Sequence, residues 1–210
     1  MIPSKEEMRK ALAERIGEER LRIFESSTLA IAGLGGLGSN IAVMLARAGI
    51  GKLILVDFDR VDISNLNRQQ YRADQIGLPK TQALEENIRS IAPYINIETA
   101  YLRITEDNVE ALFKDADVIL EAFDGAEEKA MLANKVLTDM PDKYYVSSSG
   151  MAGFEDADLI KTRKISDRFY LCGDGVSDVK DSSLVSTRVC ICAAHEAHKA
   201  LQILIEKKEG

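Results

Sequence analysis

The sequence is poor in the residues that build disulfide scaffolds and dedicated metal cages. It holds three cysteines and two histidines in 210 residues. An odd cysteine count gives no disulfide framework. Cys172, Cys190 and Cys192 contain no Cys-x-x-Cys pair, so four thiolates for a structural zinc cannot be gathered within this chain. His195 and His198 flank Glu196 without the HExxH spacing and are expected as polar helix residues. No apolar run is long enough to cross a bilayer, and the charged opening MIPSKEEMRK lacks a signal-peptide core. A net charge of −7 argues against a general nucleic-acid binder. Membrane and nucleic-acid partners are therefore not expected, and a cytoplasmic setting is.

What is present suits an ordinary globular chain, with 46% hydrophobic and 29% charged residues. One domain over residues 1–210 is the expectation, residues 1–27 forming an N-terminal helical arm. In that arm Met8, Leu12, Ile16, Leu21 and Phe24 recur at helical spacing, with a break near Gly17. Ser4 and Glu7 have the spacing of a capping box.

The most informative stretch is residues 29–68. A short apolar run, Leu29 to Ala32, leads into GLGGLG at 33–38. A helical pattern follows and closes at Gly49, the natural left-handed cap. A second apolar run, Leu53 to Val56, ends in Asp57-Phe58-Asp59. Strand, glycine turn, helix, strand and acid form the nucleotide-binding βαβ fingerprint in its required context. Gly33, Gly35, Gly36 and Gly38 let the backbone approach a phosphate. The next helix turns free N–H groups and its positive dipole end to that anion. Asp57 is placed to accept hydrogen bonds from ribose hydroxyls.

A polar loop, residues 59–70, follows at the edge where open α/β sheets bind ligands. Arg68 offers a permanently charged fork for phosphate oxygens. Asn65 both donates and accepts. Asp59 is open between ligand binding and bracing the loop. Lys80 falls in the first turn of a helix predicted over 80–91, where a cation opposes the helix dipole; a nearby anion would account for it. Strands are predicted over 96–101 and 117–124, with a helix capped by Thr105 between them. Asp124 then stands on the same edge as Asp57, either as a Mg²⁺ ligand beside phosphates or as the next helix's N-cap. Later strands are predicted at 143–150, 159–165 and 169–172, and a final helix at 185–208. Residues 174–183 are polar without periodicity and read as a mobile loop. Cys172 precedes it and is a packing residue unless its surroundings activate the thiol.

The runs GLGGLGSN and LVDFDRVDISNLNRQ, with Gly77-Leu78-Pro79-Lys80, Glu121-Ala122-Phe123-Asp124 and Ser149 to Gly153, resemble the ThiF/MoeB/HesA family. These are relatives of the ubiquitin-activating enzymes, and the likeness is greatest to short ThiF-like proteins. The resemblance implies a Rossmann-like α/β fold with a largely parallel sheet, helices on both faces and a more antiparallel C-terminal half. It implies adenylation of the C-terminal glycine carboxylate of a small ubiquitin-like sulfur-carrier protein, using ATP and Mg²⁺. A Gly-Gly tail on the carrier and a separate sulfur-donor protein follow, with thiamine thiazole supply as the expected pathway and molybdopterin second. Asn65, Arg68 and Lys80 would meet ATP phosphates, and Asp124 would bind Mg²⁺. An arginine of the arm, Arg15 or Arg9, would reach a neighbouring subunit's ATP, which makes a homodimer expected. The alternatives are an NAD-dependent oxidoreductase, a non-catalytic carrier-binding relative, or an adenylating enzyme for a non-protein carboxylate such as a modified tRNA. The first would leave SNLNRQ, Lys80 and Asp124 unexplained.

Overall fold

The computed structural model describes residues 2–178, 180 and 183–209. Seven strands form one sheet: β1 (Thr28–Ala32), β2 (Lys52–Asp57), β3 (Asn96–Tyr101), β4 (Val118–Glu121), β5 (Tyr144–Ser148), β6 (Lys161–Lys164) and β7 (Phe169–Gly173). The helices are α1 (Lys5–Ile16), α2 (Glu18–Glu25), α3 (Gly36–Ala48), α4 (Lys80–Ile91), α5 (Val109–Phe113), α6 (Ala126–Asp139) and α7 (Ser186–Glu209). The strand order is β3-β2-β1-β4-β5-β7-β6. Every neighbouring pair is parallel except β6 with β7. The expected antiparallel character of the C-terminal half is thus confined to this last pair, because β7 continues the parallel set beside β5.

The continuous apolar runs of β1, β2 and β4 follow from burial on both faces. Leu29, Ile31, Leu53, Leu55, Val118 and Leu120 face one layer, with Ile41 and Leu45 of α3, Leu84 of α4 and Val189 of α7. The alternate residues Ala30, Ile54, Val56 and Ile119 face the other, with Val109 and Phe113 of α5 and Leu132 and Val136 of α6. From β1 the chain steps outward through β2 and β3, then returns to lay β4 on the other side of β1. That reversal opens a crevice at the carboxyl ends of β1 and β4, the usual ligand position in such sheets.

Local signals set the helix ends as expected. Ser4 and Glu7 form both halves of the capping box. Gly17 breaks the arm between α1 and α2 at φ +93°, and Gly49 closes α3 in the left-handed region. Two expectations need correcting. Asn108, not Thr105, stands at the start of α5, and its side-chain oxygen accepts the Thr105 N–H at 2.8 Å. The stretch predicted as a mobile loop begins with a fixed turn: Asp174 accepts the N–H groups of Val176 and Ser177, both at 2.8 Å, and pairs with buried Arg188 at 2.6 Å. Val179, Asp181 and Ser182 of that stretch lie outside the described residues. Among the described residues no helix is long and apolar enough to cross a membrane.

Two of the three thiols are placed for packing, while Cys190 is half-buried. Cys172 and Cys192 are fully buried, and burial pushes the Cys172 thiol up to about 12. That removes the thiolate a reactive cysteine needs. His195 is half-buried and shares a hydrogen bond with the Thr162 hydroxyl at 3.0 Å.

Glu196 of α7 is the least comfortable residue of the core. It is fully buried, and neither carboxyl oxygen has a hydrogen-bond partner among the described residues. Burial and the nearby Glu121 carboxylate drive its pKa well above the usual carboxylate range. The folded chain therefore keeps a proton here that the unfolded chain releases near pH 4–5, and stability falls as pH rises through that window toward the raised value. Glu196→Met is expected to stabilise the fold by about 1–3 kcal/mol at pH 8. The gain should shrink on going down to pH 5, as read by urea denaturation at both pH values. An equal or larger gain at pH 5 would contradict the assignment.

Candidate active site

A cavity of about 290 Å³ opens at the carboxyl edge of β1, β2 and β4. Gly33 and Gly35 form its floor, Asp57, Phe58, Asp59 and Lys80 one side, and Phe123, Asp124 and Glu128 the other. Leu102, Arg103 and Ile104, just past β3, close it.

The glycine turn is forced by contact. Gly33 has φ +91°, and a Cβ there would lie 2.9 Å from the Ala122 carbonyl oxygen. A Cβ at Gly38 would lie 1.9 Å from the Gly33 carbonyl oxygen, so α3 packs on the turn at a distance only glycine permits. Helix α3 begins without a side-chain cap and without an acid in its first turn. Its leading N–H groups and positive dipole end are therefore left for an anion.

Asp57 holds this turn in place. One carboxylate oxygen accepts the Leu34 N–H at 2.6 Å and the other accepts the Asp59 N–H at 2.7 Å. Each oxygen keeps a second lone pair, so ribose hydroxyls remain possible partners. Burial raises the Asp57 pKa, against the opposing pull of Lys80 and of the two N–H groups. Asp59, whose role the sequence left open, braces the loop and fixes Lys80. Its carboxylate pairs with Lys80 Nζ at 2.8 Å and its carbonyl accepts the Lys80 N–H at 2.9 Å. Lys80 is only 5% exposed yet borders the cavity.

Asp124 is exposed on the cavity rim and makes no hydrogen bond or ion pair among the described residues. It does not cap α6; Gly125 occupies that position, without a side-chain cap. The preceding turn is pinned by buried Glu121, which accepts the Phe123 N–H at 2.5 Å, pairs with Lys129 at 2.9 Å and accepts the Ser147 hydroxyl at 2.5 Å. Among the described residues no group of three or more acidic, histidine or cysteine side chains is placed to hold a metal. Mg²⁺ commonly needs only one or two carboxylates beside phosphate oxygens, and the unpartnered Asp124 fits that role.

Arg68 stands beside the turn. Its aliphatic stem packs near Gly36, and its guanidinium donates to the Ser64 carbonyl at 3.0 Å and the Asn67 side chain at 2.8 Å. Asn65 is turned onto its own loop, accepting the Asp62 N–H at 3.0 Å. The loop is riveted to α3: Asn40 donates to the Arg68 carbonyl at 3.0 Å, and Ser39 accepts the Gln70 N–H at 3.1 Å.

The arm does not join this site. Helix α1 lies along the opposite, amino edge of the sheet, against Gly49, Ile50, Gly51 and Asn96. Arg9 is bound there by Glu18 at 2.6 Å and Glu25 at 2.9 Å. Arg15 is exposed on the same edge, without an ion pair among the described residues. Within one chain neither arginine meets Lys80 or Asp124. The apolar wall of Phe58, Leu102, Ile104 and Phe123, with Arg103 stacked 3.9 Å over the Phe58 ring, was not singled out from sequence. Its only sequence signal is position, since each member follows a strand's carboxyl end.

A sequence model described as the ThiF family matches residues 8–210. The tRNA threonylcarbamoyladenosine dehydratase of Bacillus subtilis (strain 168) is 36% identical over 156 residues, covering 70% of this chain and 60% of that protein. The molybdopterin-synthase adenylyltransferase of Haemophilus influenzae is 37% identical over 117 residues, covering 55% of this chain and 47% of that protein. The chain thus spans 47–60% of the length of these two relatives. The E. coli tRNA N6-threonylcarbamoyladenosine dehydratase in complex with ATP shares the fold at a TM-score of 0.88 and 23% identity, covering 100% of this chain and 99% of that one.

The contact between α3 and the glycine turn gives a direct test. Gly38→Ala forces a methyl group onto a backbone oxygen that cannot move aside cheaply, and overpacking of this kind costs about 3 kcal/mol. Urea denaturation should show that loss. A change below about 1 kcal/mol would mean the helix does not approach the turn as closely as described.

Proposed function

The chain belongs to the ThiF family, and from that premise we propose that it uses ATP to adenylate a carboxylate. The observation that carries this reading is Lys80: a nearly buried ammonium, fixed by Asp59, bordering a cavity floored by the glycine turn and the uncapped start of α3. Such a site favours a polyanion on one side and leaves an unpartnered carboxylate, Asp124, on its rim.

In the proposed reaction a carboxylate oxygen attacks the α-phosphorus of ATP. A C–O–P linkage forms, the bond from the α-phosphorus to the bridging oxygen breaks, and pyrophosphate leaves with its electron pair. The attacking carboxylate is already ionised at neutral pH, so no general base is required. Both reactants are anionic, and the protein's task is positioning and charge neutralisation. The α3 N–H groups and Lys80 would supply the positive side from the cavity wall and Asp57 would meet the ribose; Arg68 and Asn65, which do not line the cavity and are bonded within their own loop, would have to turn toward the phosphates. Mg²⁺, when bound, would be held by Asp124 together with phosphate oxygens and would neutralise part of the triphosphate charge.

The substrate we propose is the C-terminal glycine of a small ubiquitin-like sulfur carrier, with thiazole sulfur supply as the pathway and a separate protein as sulfur donor. A homodimer in which Arg15 of one copy serves the other is part of this reading. A second reading, a modified-tRNA carboxylate, is favoured by the 36% identity to the B. subtilis tRNA dehydratase and opposed by the net charge of −7.

ATP–pyrophosphate exchange separates these readings. It should be measured with carriers ending in Gly-Gly and with threonylcarbamoyl-modified tRNA. Carrier-dependent exchange is expected, falling about 10²–10³-fold in Lys80→Met and Asp124→Ala. Exchange with the tRNA alone would transfer the activity to the second reading. ATP binding without exchange on any substrate would leave a carrier-binding relative that does not adenylate. Unchanged exchange in Asp124→Ala would remove Asp124 from the site.

A further inference from the structure

Mg²⁺ tolerates little misplacement, because it demands near-ideal octahedral geometry with oxygens at about 2.0–2.1 Å. The carboxylate offered to it here, Asp124, is exposed and makes no hydrogen bond or ion pair among the described residues. No contact of its own side chain fixes where it stands. Its placement has to come from the backbone of the turn over residues 122–125.

That backbone is held on two sides. On one side it lies against the glycine turn. The Ala122 N–H donates to the Ala32 carbonyl at 2.8 Å, and a Cβ on Gly33 would come within 2.9 Å of the Ala122 carbonyl oxygen and 3.1 Å of the Phe123 ring. On the other side it is held by Glu121, which is fully buried. Glu121 Oε1 accepts the Phe123 N–H at 2.5 Å, and Oε2 accepts the Ser147 hydroxyl at 2.5 Å. Lys129 Nζ donates to both carboxylate oxygens, at 2.9 and 3.1 Å, and to the Ser148 carbonyl at 3.2 Å. Lys129 belongs to α6, whose N-cap, Gly125, directly follows Asp124. One buried carboxylate thus ties together the end of β4, the end of β5 and α6, the elements that flank Asp124. Such a pair is weak evidence for stability, since apolar residues of similar volume often serve as well. Its distinguishing feature is the turn it fixes.

Resting on the adenylation reading, we propose that Glu121 is a positioning residue for the ATP-bound metal: through the Phe123 N–H it holds the Asp124 carboxylate toward phosphates seated on the glycine turn, without touching metal or nucleotide itself. Lys129 and Ser147 fix the Glu121 carboxylate in turn.

The test is calorimetric titration of ATP, with excess Mg²⁺ and again with EDTA, in the absence of a carboxylate substrate and alongside thermal melts. The readout is the gain in ATP affinity that Mg²⁺ confers. Glu121→Leu/Lys129→Met replaces the pair by apolar side chains of similar volume, so the chain should still melt cooperatively. Its Mg²⁺-dependent gain should fall about tenfold, equivalent to about 1.4 kcal/mol. That loss should match the one in Asp124→Ala, with ATP affinity in EDTA unchanged. Glu121→Gln keeps an acceptor for the Phe123 N–H and should hold most of the gain. A full gain in the double variant, or an equal loss of ATP affinity in EDTA, would overturn the assignment. So would a wild type whose ATP affinity is the same with and without Mg²⁺. A loss in Glu121→Gln as large as in the double variant would tie the effect to charge and overturn positioning. Wild-type protein that binds no ATP under either condition would instead sink the adenylation reading, and this inference with it.

Discussion

The Asp57 carboxylate ties the exit of β1 to the exit of β2. One oxygen holds the backbone of the glycine turn at Leu34 and the other holds the polar loop at Asp59. Asp59 in turn fixes Lys80 through both its side chain and its carbonyl. A single chain of contacts thus runs from the turn that would receive phosphate to the cation that would neutralise it. Glu121 repeats the device at the end of β4, folding back on the Phe123 N–H while Lys129 balances its charge. The loops that leave β2 and β4 at the cavity are irregular in conformation, yet each starts from a strand whose last residue is a carboxylate that grips it. Precise side-chain placement on loops requires such support from behind.

This arrangement also reconciles an acidic protein with a polyanionic ligand. The net charge of −7 is a property of the whole surface. Lys80, Arg103 and the start of α3 are local, and the cavity walls that carry them are partly apolar. In a recess with low-dielectric walls, nearby charges and dipoles outweigh distant ones. Overall charge argues against non-specific nucleic-acid binding more strongly than it argues against a phosphate pocket.

Much of the fold was legible because it obeys rules of short range. The double-faced apolar runs of β1, β2 and β4, the capping box at Ser4 and the cap at Gly49 depend on neighbouring residues alone. The glycine turn was legible for the same reason. What escaped was set by residues far apart in sequence. That Asp57 braces Leu34, and that Asp59 rather than solvent holds Lys80, depends on β1 and β2 ending, and α4 beginning, at one edge. The wall of Phe58, Leu102, Ile104 and Phe123 arises from three separate strand exits. The parallel setting of β7 and the fixed turn at Asp174 depend on partners in β5 and α7. The reach of the arm was hidden too, because helical periodicity says nothing about which edge of a sheet a helix will cover.

That last placement bears on how activity would respond to dilution. Strands β1 and β2 are five and six residues long, which puts on the order of 17–20 Å of sheet between the two edges. An arginine on α1 stands behind its own cavity with the sheet between them. If Arg15 serves catalysis, it serves a second molecule, and turnover per chain is then a function of protein concentration. Such an enzyme would switch itself off on dilution below the dissociation constant of its dimer, with every residue of its own cavity still in place.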